Sequence, residues 1–166
     1  VVEQGVATTD GATSAVPAGG HPWRRRLLVI GGALLASLVL IQFVPYRVDN
    51  PPVVAEPNWD SPRTRQLAVA ACYDCHSNET QGTWYENIAP VSWWITNHVE
   101  DGRKKLNFSE WNTRHGEAGD AVETVKNGSM PPSYYTWFGL HSGAKLTAKE
   151  KQDLADGLKA TYAQSK

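Results

Sequence analysis

The pentapeptide Cys72-Tyr73-Asp74-Cys75-His76 holds the residues of this chain best suited to do chemistry. A C-x-x-C-H run is the attachment pattern for a c-type haem. Each thiol can add to one haem vinyl group and form a thioether. The two intervening residues set the sulfurs at the separation the vinyls require, and His76 delivers an imidazole to one face of the iron. The chain has only these 2 cysteines, so no thiol remains for a disulfide framework or a second metal site. A thioredoxin-like C-x-x-C expects a βαβ context, and none is visible in the sequence. A structural zinc site needs four ligands, and adjacent Cys75 and His76 would chelate one ion at awkward geometry. The expected cofactor is one covalent haem c, held by Cys72 and Cys75, with His76 as the proximal ligand.

An iron held on one face needs a ligand on the other. Met130, the chain's single methionine, lies in Gly128-Ser129-Met130-Pro131-Pro132. The two prolines stiffen the backbone behind it. A methionine in isolation is usually core filler, but this one follows a short helical pattern and suits a loop that holds a thioether still. Met/His ligation raises the potential of a haem relative to His-only ligation. His98 is the alternative distal ligand, on a helix with Trp93 and Trp94. His115 and His141 are weaker competitors, and His21 lies on the other side of the apolar run described next.

The elements that must position these groups follow from the rest of the 166 residues. Residues 1–22 have almost no large apolar side chains and read as a flexible cytoplasmic tail. Residues 27–44 carry no charge, with Trp23 and Tyr46 flanking and Arg24, Arg25 and Arg26 at the N-terminal edge. Residues 23–46 are therefore expected to form an uncleaved transmembrane anchor, with the N-terminus inside by the positive-inside bias. A cleaved signal peptide is the rival, but the exit lacks small residues. Gly32 with Ala36, and Ala33 with Ser37, could admit a second membrane helix. Four prolines in 45–58 suggest an extended linker over 47–58, reaching up to roughly 40 Å from the bilayer or folded against a partner. Residues 59–166 then form the haem domain on the periplasmic side of a bacterial cytoplasmic membrane.

Within that domain, Ser61-Pro62 reads as the start of a helix, which carries the haem motif at its end. Pro90 or Ser92 opens a second helix that fades near Leu106. Residues 118–127 form a third, with Ala121, Val122 and Val125 inward and Gly128 as its stop. Thr147 and Glu150 match a capping box ahead of a terminal helix with Leu154, Leu158 and Tyr162 on one face. No run alternates as a strand does, so the domain is mostly α. Trp84 and Tyr85 are expected in a loop over the haem edge. Arg103, Lys104 and Lys105 form either a docking patch for an acidic partner or a solvated helix end.

Cys72–Asn78, Trp84-Tyr85, Ile88–Trp93, His98-Val99, Gly102-Arg103, Leu106–Trp111 and Met130-Pro131-Pro132, in that order over about residues 59–162, resemble the small bacterial haem-binding domain family of cytochrome c-like proteins. The resemblance implies a class I cytochrome c-like domain with one covalent haem. It carries over Cys72, Cys75 and His76, and Met130 as the distal ligand. The near-balanced charge gives no field for nucleic acid. The expected function is single-electron transfer, not enzymatic catalysis. The chain is either a carrier or the cytochrome subunit of a respiratory or photosynthetic membrane complex, with redox proteins at the membrane as partners. The alternative is a haem sensor or peroxidase-like enzyme with a labile distal ligand.

Overall fold

The computed structural model describes residues 21–113 and 118–165. The residues divide into two compact units, 1–40 and 41–166. The fold is mostly α, and among the described residues no sheet forms. The sole β feature there is a parallel bridge between Ala55 and Glu110.

The first unit holds most of α1, Pro22–Ile41. It opens with proline at the first position, where a missing N–H costs nothing. None of its residues is buried. Among the described residues no helix is long and apolar enough to cross a membrane. The expected span of 23–46 is not shown by this helix, which has Pro22 and three arginines at its polar end and stops at Ile41. Its charge-free part, Leu27 onward, is only about 22 Å long against a hydrocarbon core of about 30 Å. Residues 1–20, which include most of the expected tail, lie outside the described residues.

The second unit begins with a strap rather than a free linker. Gln42 exchanges two hydrogen bonds with the backbone of Ala89 (3.0 and 2.9 Å). Tyr46 donates to Asn97 at 2.7 Å. The N–H groups of Val54 and Ala55 donate to the Ser109 carbonyl at 2.8 and 3.1 Å. Residues 47–58 therefore run along the domain and do not project from it. Their prolines suit such an extended path, since it asks for few backbone donors.

Among the described residues, five α-helices build this unit. α2, Pro62–Ala71, is capped by Ser61, whose side chain accepts from Thr64 N. α3, Tyr73–His76, is one turn. α4 is Val91–Lys105, α5 Ala118–Lys126 and α6 Ala148–Gln164. The capping box of Thr147 and Glu150 is present at the start of α6. Gly128 follows α5 with φ +78°, the left-handed conformation of a helix stop. α2 and α5 both pack on α6: Leu67, Ala68, Val122, Val125, Leu154, Ala155 and Leu158 are buried together. The α2–α6 crossing is close because residue 157 is glycine. A Cβ there would lie 2.0 Å from Thr64 Oγ1. Phe108, fully buried, stacks between Tyr73 and Trp111 at 5.5 and 5.8 Å. Short 3-10 turns at Trp84–Asn87, Ser133–Gly139 and Ser142–Ala144 complete the domain.

Candidate haem site

The cysteine motif folds as a separate turn. Cys72 leaves the helical region (φ −126°, ψ −34°) and ends α2. The N–H groups of Cys75 and His76 then bond back to the Cys72 carbonyl at 3.2 and 2.9 Å. Both cysteines are partly exposed and free. Burial pushes the Cys72 thiol up to about 12, with the neighbouring Cys75 adding to the shift. Burial also pushes Cys75 up to about 11, with the Asp74 carboxylate adding. Among the described residues no three His, Cys, Asp or Glu side chains gather as a metal-binding group.

His76 is held by α4. Its Nδ1 lies 3.0 Å from the Gly102 carbonyl and 3.1 Å from the Leu106 carbonyl. Both partners are acceptors, so Nδ1 carries the proton and donates. The ring's lone pair is then on Nε2, the tautomer of a metal-binding imidazole whose other nitrogen is anchored on backbone. α4 comes this near only because residue 102 is glycine. A Cβ there would sit 2.4 Å from the Cys75 carbonyl oxygen. Glycine, which weakens a helix interior, is here the place where the helix meets the motif.

The loops beyond the motif lock to α4 and to the strap. Phe108 N–H donates to the His76 carbonyl at 2.7 Å. Asn78 N–H donates to Ser109 Oγ, and Asn107 Nδ2 to Asn78 Oδ1, both at 2.9 Å. The Asn107-Phe108-Ser109 turn is thus a buried knot with Asn78. Arg103 is buried and donates to Ser77 O (2.7 Å), Asp49 O (2.8 Å), Asn50 Oδ1 (3.0 Å) and Thr80 Oγ1 (3.0 Å). It ties strap, motif loop and α4 together and is not part of a docking patch. Lys104 pairs with Asp101 at 3.2 Å.

Cys72, Cys75, His76 and Met130 all line one cavity of about 510 Å³. That falls within the usual range for cofactor pockets, roughly 300–1,000 Å³. Its walls are mostly apolar and include Trp94, Leu106 and Tyr134. The Met130 N–H donates to the Thr124 carbonyl at 3.0 Å, which pins the loop to α5. His98 lines the same cavity. Its Nδ1 donates to the Trp94 carbonyl at 2.9 Å, and its ring packs 4.2 Å from that of Trp94. The structure thus brings both distal candidates to the cavity. His141 lines the cavity too, but both its ring nitrogens are engaged: Nε2 meets Tyr85 OH at 2.9 Å, Nδ1 faces the Asp74 carboxylate at 3.7 Å, and the ring stacks on Tyr135. His115 lies outside the described residues.

The sequence did not reveal this Asp74–Tyr135–His141–Tyr85 cluster. The Tyr135 hydroxyl donates to Asp74, and burial together with that bond raises its pKa far above the ordinary phenol value. The cluster fastens the 133–144 segment, downstream of Met130, to the motif turn. A second cavity of about 490 Å³ lies on its other side, with Arg65, Glu79 and Gln81 in its walls and none of Cys72, Cys75, His76 or Met130.

A family model for a haem-binding domain matches residues 36–160, well over half of the chain. The chain belongs to the haem-binding domain family. The match begins inside α1, upstream of the boundary at 59 that the motifs suggest, so this haem-binding domain includes the strap. No curated protein and no solved structure matches the chain. The residues present fit the group the family implies. A mostly apolar cavity is walled by an imidazole of the right tautomer, two thiols and a thioether.

Proposed function

We propose that this haem-binding domain holds its haem covalently, as haem c, and passes single electrons. Bound haem supplies a one-electron ferric/ferrous couple. In this reading Cys72 and Cys75 each add S–H across one vinyl group, sulfur to one carbon and hydrogen to the other. His76 Nε2 and Met130 Sδ would be the two groups of the chain that hold the iron. Iron held by two protein ligands would leave no site for a substrate, which favours electron transfer over catalysis. The observation that carries the reading is the His76 ring, whose Nδ1–H is anchored on the Gly102 and Leu106 carbonyls at the wall of the cavity shared with both thiols. The partners in this reading are redox proteins at a membrane, met as a shuttle or as fixed neighbours.

The test is Met130→Ala, read by the optical spectrum of the ferric protein. Loss of the low-spin spectrum, with rapid carbon monoxide binding to the ferrous form, supports Met130. An unchanged low-spin spectrum transfers the role to His98, whose Nδ1–H is also anchored on a backbone carbonyl. Fast carbon monoxide binding by the unaltered protein at neutral pH would favour a sensor or peroxidase-like role instead.

We also propose that α1 anchors the domain to a bilayer, with the haem side outside the cytoplasm. Support comes from its exposed apolar residues on every face, since a helix that is hydrophobic all round is normally buried. Arg24, Arg25 and Arg26 can snorkel at one end, and local thinning can absorb the short length. Flotation of the full chain with phospholipid vesicles tests this. Recovery in the soluble fraction would contradict it.

A further inference from the structure

A second apolar surface begins where α1 ends, within the domain itself. Phe43 is 79% exposed, Trp84 77%, Ile88 45% and Val91 43%. Val44 is exposed as well. These residues belong together because Gln42 is clamped to Ala89 by reciprocal amide bonds, which sets 43–44 beside the turn that opens α4. Val91 then carries the surface onto the first turn of α4.

The surface is also free of charge. Residues 42–46 and 87–97 contain no Asp, Glu, Lys or Arg. Glu86, two residues beyond Trp84, accepts a hydrogen bond from the Thr83 hydroxyl at 2.9 Å. Exposed tryptophan and phenylalanine among aliphatic side chains, with no charge, is the composition of a surface that meets lipid headgroups and the outer acyl chains. A protein partner recruited by charge would find nothing to read here.

We infer that this face, formed by Phe43, Val44, Trp84, Ile88 and Val91, rests on the interfacial layer of a phospholipid bilayer. The inference depends on the reading of α1 as a membrane anchor. The argument for lipid as the occupant is covalent continuity. The chain leaves α1 at Ile41 and is fixed to α4 at Gln42, one residue later. There is no spacer between Ile41 and the clamped Gln42, so a bilayer that takes up Ile41 reaches the turn that carries Ile88 and Val91.

The chain's isoleucines make the test direct, because they are Ile30, Ile41, Ile88 and Ile95. The full haem-loaded ferrous chain, labelled at the isoleucine δ1 methyls, is placed in phosphatidylcholine nanodiscs. Relaxation of each methyl is measured with a water-soluble gadolinium chelate, then with gadolinium carried on a lipid headgroup. The expected result is that the soluble chelate leaves Ile88 as unrelaxed as Ile30, while the lipid-borne ion broadens Ile88. If the soluble chelate relaxes Ile88 but not Ile30, the anchor stands and the lipid contact is overturned. If neither reagent affects Ile88, another protein surface covers it and the inference also fails. Relaxation of Ile30 by the soluble chelate would remove the anchor reading itself.

Discussion

Gly102→Ala should loosen the haem site while improving the helix that carries it. Alanine favours a helix interior over glycine by about 1 kcal/mol. Against that, the new Cβ would lie 2.4 Å from the Cys75 carbonyl oxygen and 3.2 Å from its carbon. Ordinary non-bonded contact needs about 3.5 Å, so α4 must retreat from α3 by roughly 1 Å. The same retreat stretches the two bonds from His76 Nδ1, now 3.0 and 3.1 Å, to lengths at which no hydrogen bond remains. Overpacking costs about 1–3 kcal/mol and the lost bonds about 1 kcal/mol each. The net expectation is a destabilisation of about 2–4 kcal/mol, a large share of a typical 5–15 kcal/mol. Urea unfolding of the haem-loaded protein, followed at the Soret band and by circular dichroism, measures it. The variant should also show a changed reduction potential, because the proximal imidazole loses its backbone anchor. An alanine variant as stable as the parent, with an unchanged potential, would refute the reasoning.

Two further outcomes follow from the strap. Arg103→Met leaves the Ser77 and Asp49 carbonyls, Asn50 Oδ1 and Thr80 Oγ1 without their guanidinium donor, and should cost about 3 kcal/mol in urea unfolding. Little of that comes from the Asp49 carboxylate, which is exposed and 3.6 Å away, so Asp49→Asn should change stability far less. Glu56 has its pKa lowered, first by the hydrogen bond from Arg65. A lowered folded-state pKa gives stability that is present above the unfolded value of 4.5 and lost as pH falls through the folded value. Glu56→Gln should therefore lower Tm at pH 7 slightly and flatten the fall in Tm below about pH 4.5. A steeper acid fall in the variant would contradict this.

Local signals were legible in the sequence. The Ser61 cap, the Thr147–Glu150 box and the stop at Gly128 each involve groups within four residues of one another. The C-x-x-C-H motif is equally local, and Met130 and His98 both reach its cavity. What was hidden depends on distant partners. The proline-rich strap looked like a spacer because its acceptors, such as the Ser109 carbonyl, lie more than fifty residues on. Arg103 looked like a surface charge because its partners come from two other segments. The expected span overran because hydropathy counts apolar residues without seeing that the helix ends at Ile41. The 3-10 turns of 133–144 have no periodicity to read, and Phe138 even takes a positive φ of 56°.

The central claim is a haem fixed through Cys72 and Cys75. It is tested most directly by mass spectrometry of the peptide spanning residues 66–103, from the mature protein after extraction with acidified acetone. The account predicts that this peptide keeps the colour and the added mass of one haem, and that Cys72→Ala and Cys75→Ala together abolish both. A colourless peptide with two free thiols, and pigment released into the acetone, would contradict it.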